Sequence, residues 1–252
     1  MTTAPRRGAR PAPAGTSRPP RVGASRGAHP VTPRRGARPT GRTWSGDLYA
    51  EALRAGSGPL YLRGPDGALL PLDVERWCAG PDEADRSVLH RCRGSVLDIG
   101  CGPGRMVCEL ARHGRPALGI DVARSAVERT RRGGGTALLA SVFDPLPAEG
   151  RWNGALLLDG NIGIGGDPVR LLSRVREVAA PGARLVVEAA PDQVDERGPA
   201  RLDDGRGAAG PVFPWARVGT AALRENAGRA GWRPAEEWWV AGRPFVLLRV
   251  GE

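Results

Sequence analysis

The stretch Val96-Leu97-Asp98-Ile99-Gly100-Cys101-Gly102-Pro103-Gly104 constrains the fold more than any other part of the chain. Four residues of strand character run into three alternating glycines, and a helical pattern follows at once. Glycines at 100, 102 and 104 let the backbone turn tightly and approach a ligand with no side chain in between, while the next helix turns its N-terminal N–H groups toward that ligand. A chain punctuated in this way folds as a βαβ unit.

The rest of the sequence repeats the alternation. Apolar runs predict strands over 95–99, 116–120, 136–140, 154–158 and 184–188, with a closing pair near 236–240 and 244–250. Between them, Met106, Val107, Leu110 and Ala111 form one helical stripe ended by Gly114, and Ala123, Ala126, Val127 and Thr130 form another ended by Gly133. A third helix opens at Asp167-Pro168, an acidic cap followed by proline at the first helical position, and a fourth covers 220–230. The last two strands have no helix between them, so the final strand is expected to run antiparallel to the others. The expected fold is α/β: a Rossmann-like, doubly wound sheet of about seven strands, mostly parallel.

Ahead of this domain, 46–93 reads as a cap or lid segment. It holds a short helix over 47–54, a hairpin turning at Gly64-Pro65-Asp66-Gly67, and a helical pattern to His90 that Asp82 or Asp85 caps. Residues 1–45 are rich in Arg, Pro and Gly with almost no large apolar side chain, and are expected to be disordered. The domain proper is 94–252, and the insertion 191–215 has no pattern that assigns it.

Every basic residue is arginine, and ten of the 37 precede the first acid, Asp47, which leaves 27 arginines against 27 acids. The net charge of +10 therefore belongs to the tail, and the body is formally neutral. The tail reads either as a spacer or as an arm for a polyanion; with no aromatic residue before Trp44 to stack on bases, the spacer reading is preferred. Cys78, Cys92, Cys101 and Cys108 form no metal-ligand spacing, so reduced thiols and no metal are expected. Without an 18-residue apolar run or a signal-peptide core, the chain is expected to be cytoplasmic and off the membrane.

The glycine loop excludes its commonest competitors. A dinucleotide fingerprint wants a small residue where Arg105 stands, and a phosphate-binding P-loop needs a lysine that this chain lacks. Asp98 suits a cationic, amino-acid-like ligand group and would repel a pyrophosphate. Asp121, ending the second strand, is placed to accept from two ribose hydroxyls, or to cap the helix after it. Asp159 and Asn161 follow the fourth strand in a glycine-rich mouth where α/β sheets bind ligands; the alternative for them is a flexible connection. His90 and His113 sit late in helices and read as solvated groups.

Asp98, Gly100, Gly102 and Gly104 match D-x-G-x-G-x-G, which resembles motif I of the class I S-adenosylmethionine-dependent methyltransferases. The resemblance covers about 95–250. It implies that the loop, including Cys101, wraps the methionine part of S-adenosylmethionine, that Asp121 and Val122 meet the ribose, and that Asp144 bonds the adenine amino group with Val142 or Phe143 on a ring face. Asp144 before Pro145 is also an ordinary turn residue. Asp159 and Asn161 then lie near the reacting methyl, with Tyr49 and Trp77 as lid residues. The aromatic Asn/Asp-Pro-Pro and Pro-Cys motifs of base methylation are absent, so the expected partner is a small-molecule acceptor and not a nucleic acid. A non-catalytic cofactor-sensing protein with a polyanion-binding tail is the alternative.

Overall fold

In this computed structural model the structure describes residues 47–250. Helix α1 (Asp47–Ala55), strands β1 (Tyr61–Arg63) and β2 (Leu69–Pro71), and helices α2 (Val74–Cys78) and α3 (Glu83–Arg91) precede the glycine loop. Asp82 caps α3, and Asp85 returns the bond in a capping box, so both cap candidates take part. Then come β3 (Val96–Ile99), α4 (Arg105–Arg112), β4 (Ala117–Asp121), α5 (Arg124–Arg132), β5 (Ala137–Leu139), β6 (Trp152–Leu157), a 3₁₀ turn at Asn161–Gly166, α6 (Pro168–Val178) and β7 (Ala179–Glu188). The chain ends with β8 (Asp195–Asp203), β9 (Phe213–Val218), α7 (Thr220–Arg229), β10 (Trp232–Val240) and β11 (Arg243–Val250).

Seven strands form the main sheet in the order β10-β11-β7-β6-β3-β4-β5. Strands β5, β4, β3, β6 and β7 pair in parallel, and β11 enters antiparallel between β7 and β10, as the missing crossover helix predicts. The order reverses between β3 and β6, so the crevice at the carboxyl ends of those strands opens beside the glycine loop. Both faces are covered. One core joins Leu97, Ile99, Leu157 and Val187 to the inward stripe of α6, Leu171, Leu172, Val175 and Val178, and a second joins Val96, Leu156 and Val186 to α3 and α4. Asp167 caps α6 through Arg170 N at 3.1 Å, with Pro168 at its first turn.

A second sheet, β2-β1-β8-β9, is antiparallel throughout. It joins the hairpin ahead of the glycine loop to the insertion after β7, so this sheet draws its strands from both sides of the glycine loop in sequence. Tyr49, Leu53, Leu62, Leu202 and Phe213 bury its apolar side together with Ala123 and Ala126 of α5. That packing holds α1 and the small sheet against α5.

Candidate functional site

The glycine loop is held from four directions. Gly100 and Cys101 donate to the Ile120 carbonyl at 2.8 and 3.0 Å, so β4 fixes its start. The Asn161 amide donates to the carbonyls of Ile99 and Gly100, both at 2.9 Å. Thr130, fully buried on α5, donates to the Gly102 carbonyl at 3.0 Å, and Gly102 N–H donates to Asp121 Oδ2 at 2.9 Å. Gly100, Gly102 and Gly104 have φ of 72°, 54° and 90°, the left-handed region that glycine alone occupies without strain. A Cβ on Gly100 would stand 2.6 Å from Asn161 Nδ2, and one on Gly104 2.6 Å from Thr130. The Cys101 side chain points into the core against Gly119, so only its backbone is available to a ligand.

Two buried carboxylates flank the loop. Asp121 also accepts from Ala123 N at 2.8 Å, and burial raises its pKa to about 6 against the pull of those N–H groups. It thus serves the start of α5 and the loop together. Asp98 is more perturbed: burial raises it to about 7, opposed by the Arg105 charge and reinforced by Asp159, Asp121 and Asp85. Its carboxylate makes no hydrogen bond with a described residue.

Asp159 stands at the end of β6 with φ of 55°. Its oxygens meet Arg76 at 2.7 Å, Arg105 at 2.6 Å and Arg243 at 3.5 Å, and its N–H donates to Glu188 at 2.8 Å. Burial alone would raise its pKa; the charges of Arg105, Arg76 and Arg243 outweigh that and hold it below the ordinary aspartate value. Arg105 also pairs with Asp85, which is fully buried, and Arg243 reaches Asp85, Asp82 and Glu188. Burial works against the Arg243 charge, but Glu188, Asp159 and Asp85 hold its pKa above the usual arginine value. One network of three arginines and four acids therefore ties α2, α3, α4, β6, β7 and β11 together beneath the crevice.

Tyr49 is 5% exposed, and its hydroxyl would lie 3.4 Å from a Cβ on Gly102. Burial, with Asp121 next, pushes its pKa well above the usual tyrosine value. Trp77 meets Tyr49 edge to face at 6.3 Å, and its indole N–H is sealed from solvent with no hydrogen-bond acceptor among the described residues. Val142 is buried in the main core. Phe143 is half-buried beside Gly165, with the Arg170 guanidinium 4.4 Å from its ring centre. Asp144 is exposed and accepts from Ser141 N at 3.3 Å, and Val122 is half-buried.

The structure thus gathers Tyr49, Asp98, the three glycines, Asp121, Asp159 and Asn161 around one loop, and leaves Val142, Phe143 and Asp144 at the end of β5. Asn161 holds the loop, a role that its position after β6 does not reveal. Thr130, Arg76, Arg105, Arg243, Glu188 and Asp85 support the site without a motif of their own; a hydroxyl in the apolar stripe of α5 is the one signal that pointed to Thr130. All four cysteines are free. Among the described residues no group of His, Cys, Asp and Glu is arranged to hold a metal ion, and no helix is long and apolar enough to cross a membrane.

Residues 96–182 match the family model of a methyltransferase domain. Among solved structures, a methyltransferase from Bacteroides fragilis in complex with S-adenosyl-L-homocysteine superposes with a TM-score of 0.68 at 18% identity, covering 85% of this chain and 97% of that one. The methyltransferase CcbJ from Streptomyces caelestis gives 0.53 at 16% identity, covering 72% and 97%. The 1,6-didemethyltoxoflavin-N1-methyltransferase of Burkholderia thailandensis gives 0.51 at 17% identity, covering 68% and 78%. No curated protein matches the sequence. The chain carries a methyltransferase domain on a Rossmann-like sheet. Its fold is the one that these S-adenosylmethionine-dependent methyltransferases share.

Proposed function

We propose that the protein transfers the methyl group of S-adenosylmethionine to a small-molecule acceptor held between the glycine loop and the cap. The observation that carries this reading is the glycine loop itself, pinned by Asn161, Thr130, Asp121 and β4, with the buried Asp98 carboxylate unbonded beside it. That arrangement fits the cofactor. Side-chain-free turns admit its backbone-like methionine part, Asp98 suits its ammonium, and Asp121 retains lone pairs for ribose hydroxyls beyond the two N–H groups it already accepts. By family resemblance Val122, Val142, Phe143 and Asp144 complete the adenosine side.

When bound, the cofactor supplies an electrophilic sulfonium methyl that an acceptor oxygen, nitrogen or carbon displaces in line. The chain's part is to position the acceptor and exclude water. Asp159 has both oxygens engaged by arginines, which suits it to fixing the mouth of the crevice and not to taking a proton. Tyr49 stays protonated at neutral pH and meets Trp77 edge to face, so together they offer the acceptor molecule an aromatic wall. A small-molecule acceptor agrees with the Burkholderia thailandensis enzyme, which was solved with bound 1,6-didemethyltoxoflavin. A cytoplasmic setting, where the cofactor is made and used, goes with the same reading.

The test is incubation with methyl-labelled S-adenosylmethionine and a metabolite extract, followed by separation by size. Label in the small-molecule fraction supports the proposal, and label confined to protein or nucleic acid overturns it.

A further inference from the structure

A crevice of about 390 Å³ runs between α1 and α5, lined by Arg54 from α1 and by Arg124, Ser125, Glu128, Arg129 and Arg132 from α5. On α5 the positions 124, 128 and 132 are spaced by four and share one face. Half-buried Arg129 donates to the Leu53 carbonyl and ties the two helices together. Arg54 and Arg124 make no hydrogen bond or ion pair with a described residue, and the Arg132 guanidinium reaches only the Glu128 carbonyl, at 3.4 Å. Elsewhere on the surface Arg63, Arg91, Arg174 and Arg217 each pair with a carboxylate. Here four guanidinium groups face a single acid, Glu128, in a depression large enough for a small ligand.

We propose that this crevice is an anion site for a phosphoryl-bearing ligand, held by Arg54, Arg124 and Arg132. Guanidinium forks match phosphate oxygens in pairs. Helix α5 adds its own attraction, because Ala123 at its N-cap offers no side-chain bond to the first N–H groups beside Arg124 and Ser125. The site is separate from the cofactor loop but not independent of it. Helix α1 carries Tyr49, which rests on Gly102, so an anion bridging α1 and α5 holds that ring over the loop and strengthens cofactor binding, and the cofactor strengthens anion binding in return.

The experiment titrates the full chain with inorganic pyrophosphate by calorimetry, beside an Arg54→Gln/Arg124→Gln variant. Both positions are exposed and outside the cofactor site, so the variant keeps its fold and its affinity for S-adenosylhomocysteine in the absence of pyrophosphate. Saturable binding that weakens about tenfold or more in the variant is expected, as for lost charge-assisted hydrogen bonds. A short oligonucleotide that displaces pyrophosphate from the parent identifies a nucleic-acid phosphate as the source; one that does not identifies a small phosphorylated ligand. No saturable binding, or equal binding by parent and variant, as attraction to the arginine-rich N-terminal residues alone would give, overturns the proposal. So does pyrophosphate binding that leaves S-adenosylhomocysteine affinity unchanged, for the coupling through α1.

Discussion

Replacing Gly100 by alanine places a methyl group where the loop leaves no room for one. The new Cβ would lie 2.6 Å from Asn161 Nδ2 and 2.9 Å from its Cγ, so the amide must withdraw and give up its bonds to the Ile99 and Gly100 carbonyls. Each lost bond costs about 1 kcal/mol. Holding alanine at φ of 72° adds about 1 to 2 kcal/mol. The total, about 3 to 4 kcal/mol, corresponds to a loss of cofactor affinity of about a hundredfold or more if the loop escapes the strain by leaving its bound form. Calorimetric titration with S-adenosylhomocysteine reads the affinity, and urea unfolding reads the share that falls on the fold. The same substitution made in an Asn161→Ala background should cost only the backbone component, because the obstructing amide and its bonds are already gone. Parental affinity and stability in Gly100→Ala, or an equal cost in both backgrounds, would refute the reasoning.

Arg105→Leu removes the group that joins fully buried Asp85 to Asp159, leaving carboxylates without their main counter-charge, and should destabilise the fold by about 3 to 5 kcal/mol in urea unfolding. Arg105→Lys should recover only part of this, since an ammonium cannot reach both acids with a planar fork. Asp98 has a folded pKa of about 7 against an ordinary 3.8, so its protonated form favours the fold. Its stabilising contribution is therefore fully present below about pH 4 and is lost as pH rises through about 7; urea unfolding across that window should show the decline, and Asp98→Asn should flatten it. Pairing with the cofactor ammonium requires the ionised carboxylate, so binding near pH 6 should release a proton, seen as a calorimetric enthalpy that changes with the buffer and loses this component in Asp98→Asn. Asp121→Asn should leave Gly102 N–H or Ala123 N–H without its acceptor and weaken S-adenosylhomocysteine binding about tenfold or more.

The main sheet was legible because its central strands carry apolar runs, and the missing helix between β10 and β11 alone predicted the antiparallel last strand; β10, with Arg233, Pro234, Glu236 and Glu237, is the exception, and its first half was not read as strand. Of the small sheet, the β1–β2 hairpin was legible from its turn, and the half built by the insertion was not. Its strand β8, Asp-Glu-Arg-Gly-Pro-Ala-Arg-Leu-Asp, is mostly polar and carries both glycine and proline, so no alternation distinguishes it from a loop, and it becomes a strand only by pairing with β1 and β9. The 3₁₀ turn at Asn161–Gly166 was hidden for a related reason: three glycines in six residues read as a flexible mouth, whereas Trp215 and Pro214 of β9 pack closely on Gly163 and Gly166 and give it shape. At the site, positions fixed by local backbone chemistry, the glycines and the carboxylates ending β3 and β4, were readable one by one. The arginine network was not, because Asp85 and Arg243 lie 158 residues apart and nothing in either neighbourhood names the other.

Methyl transfer by this protein requires the glycine loop to bind a sulfonium cofactor. Calorimetric titration of the protein with S-adenosylmethionine and S-adenosylhomocysteine, with NAD as the control, tests this most directly. Binding of both adenosyl compounds at one site per chain, with no heat from NAD, is the expected result; no binding of either, or preference for NAD, would contradict it.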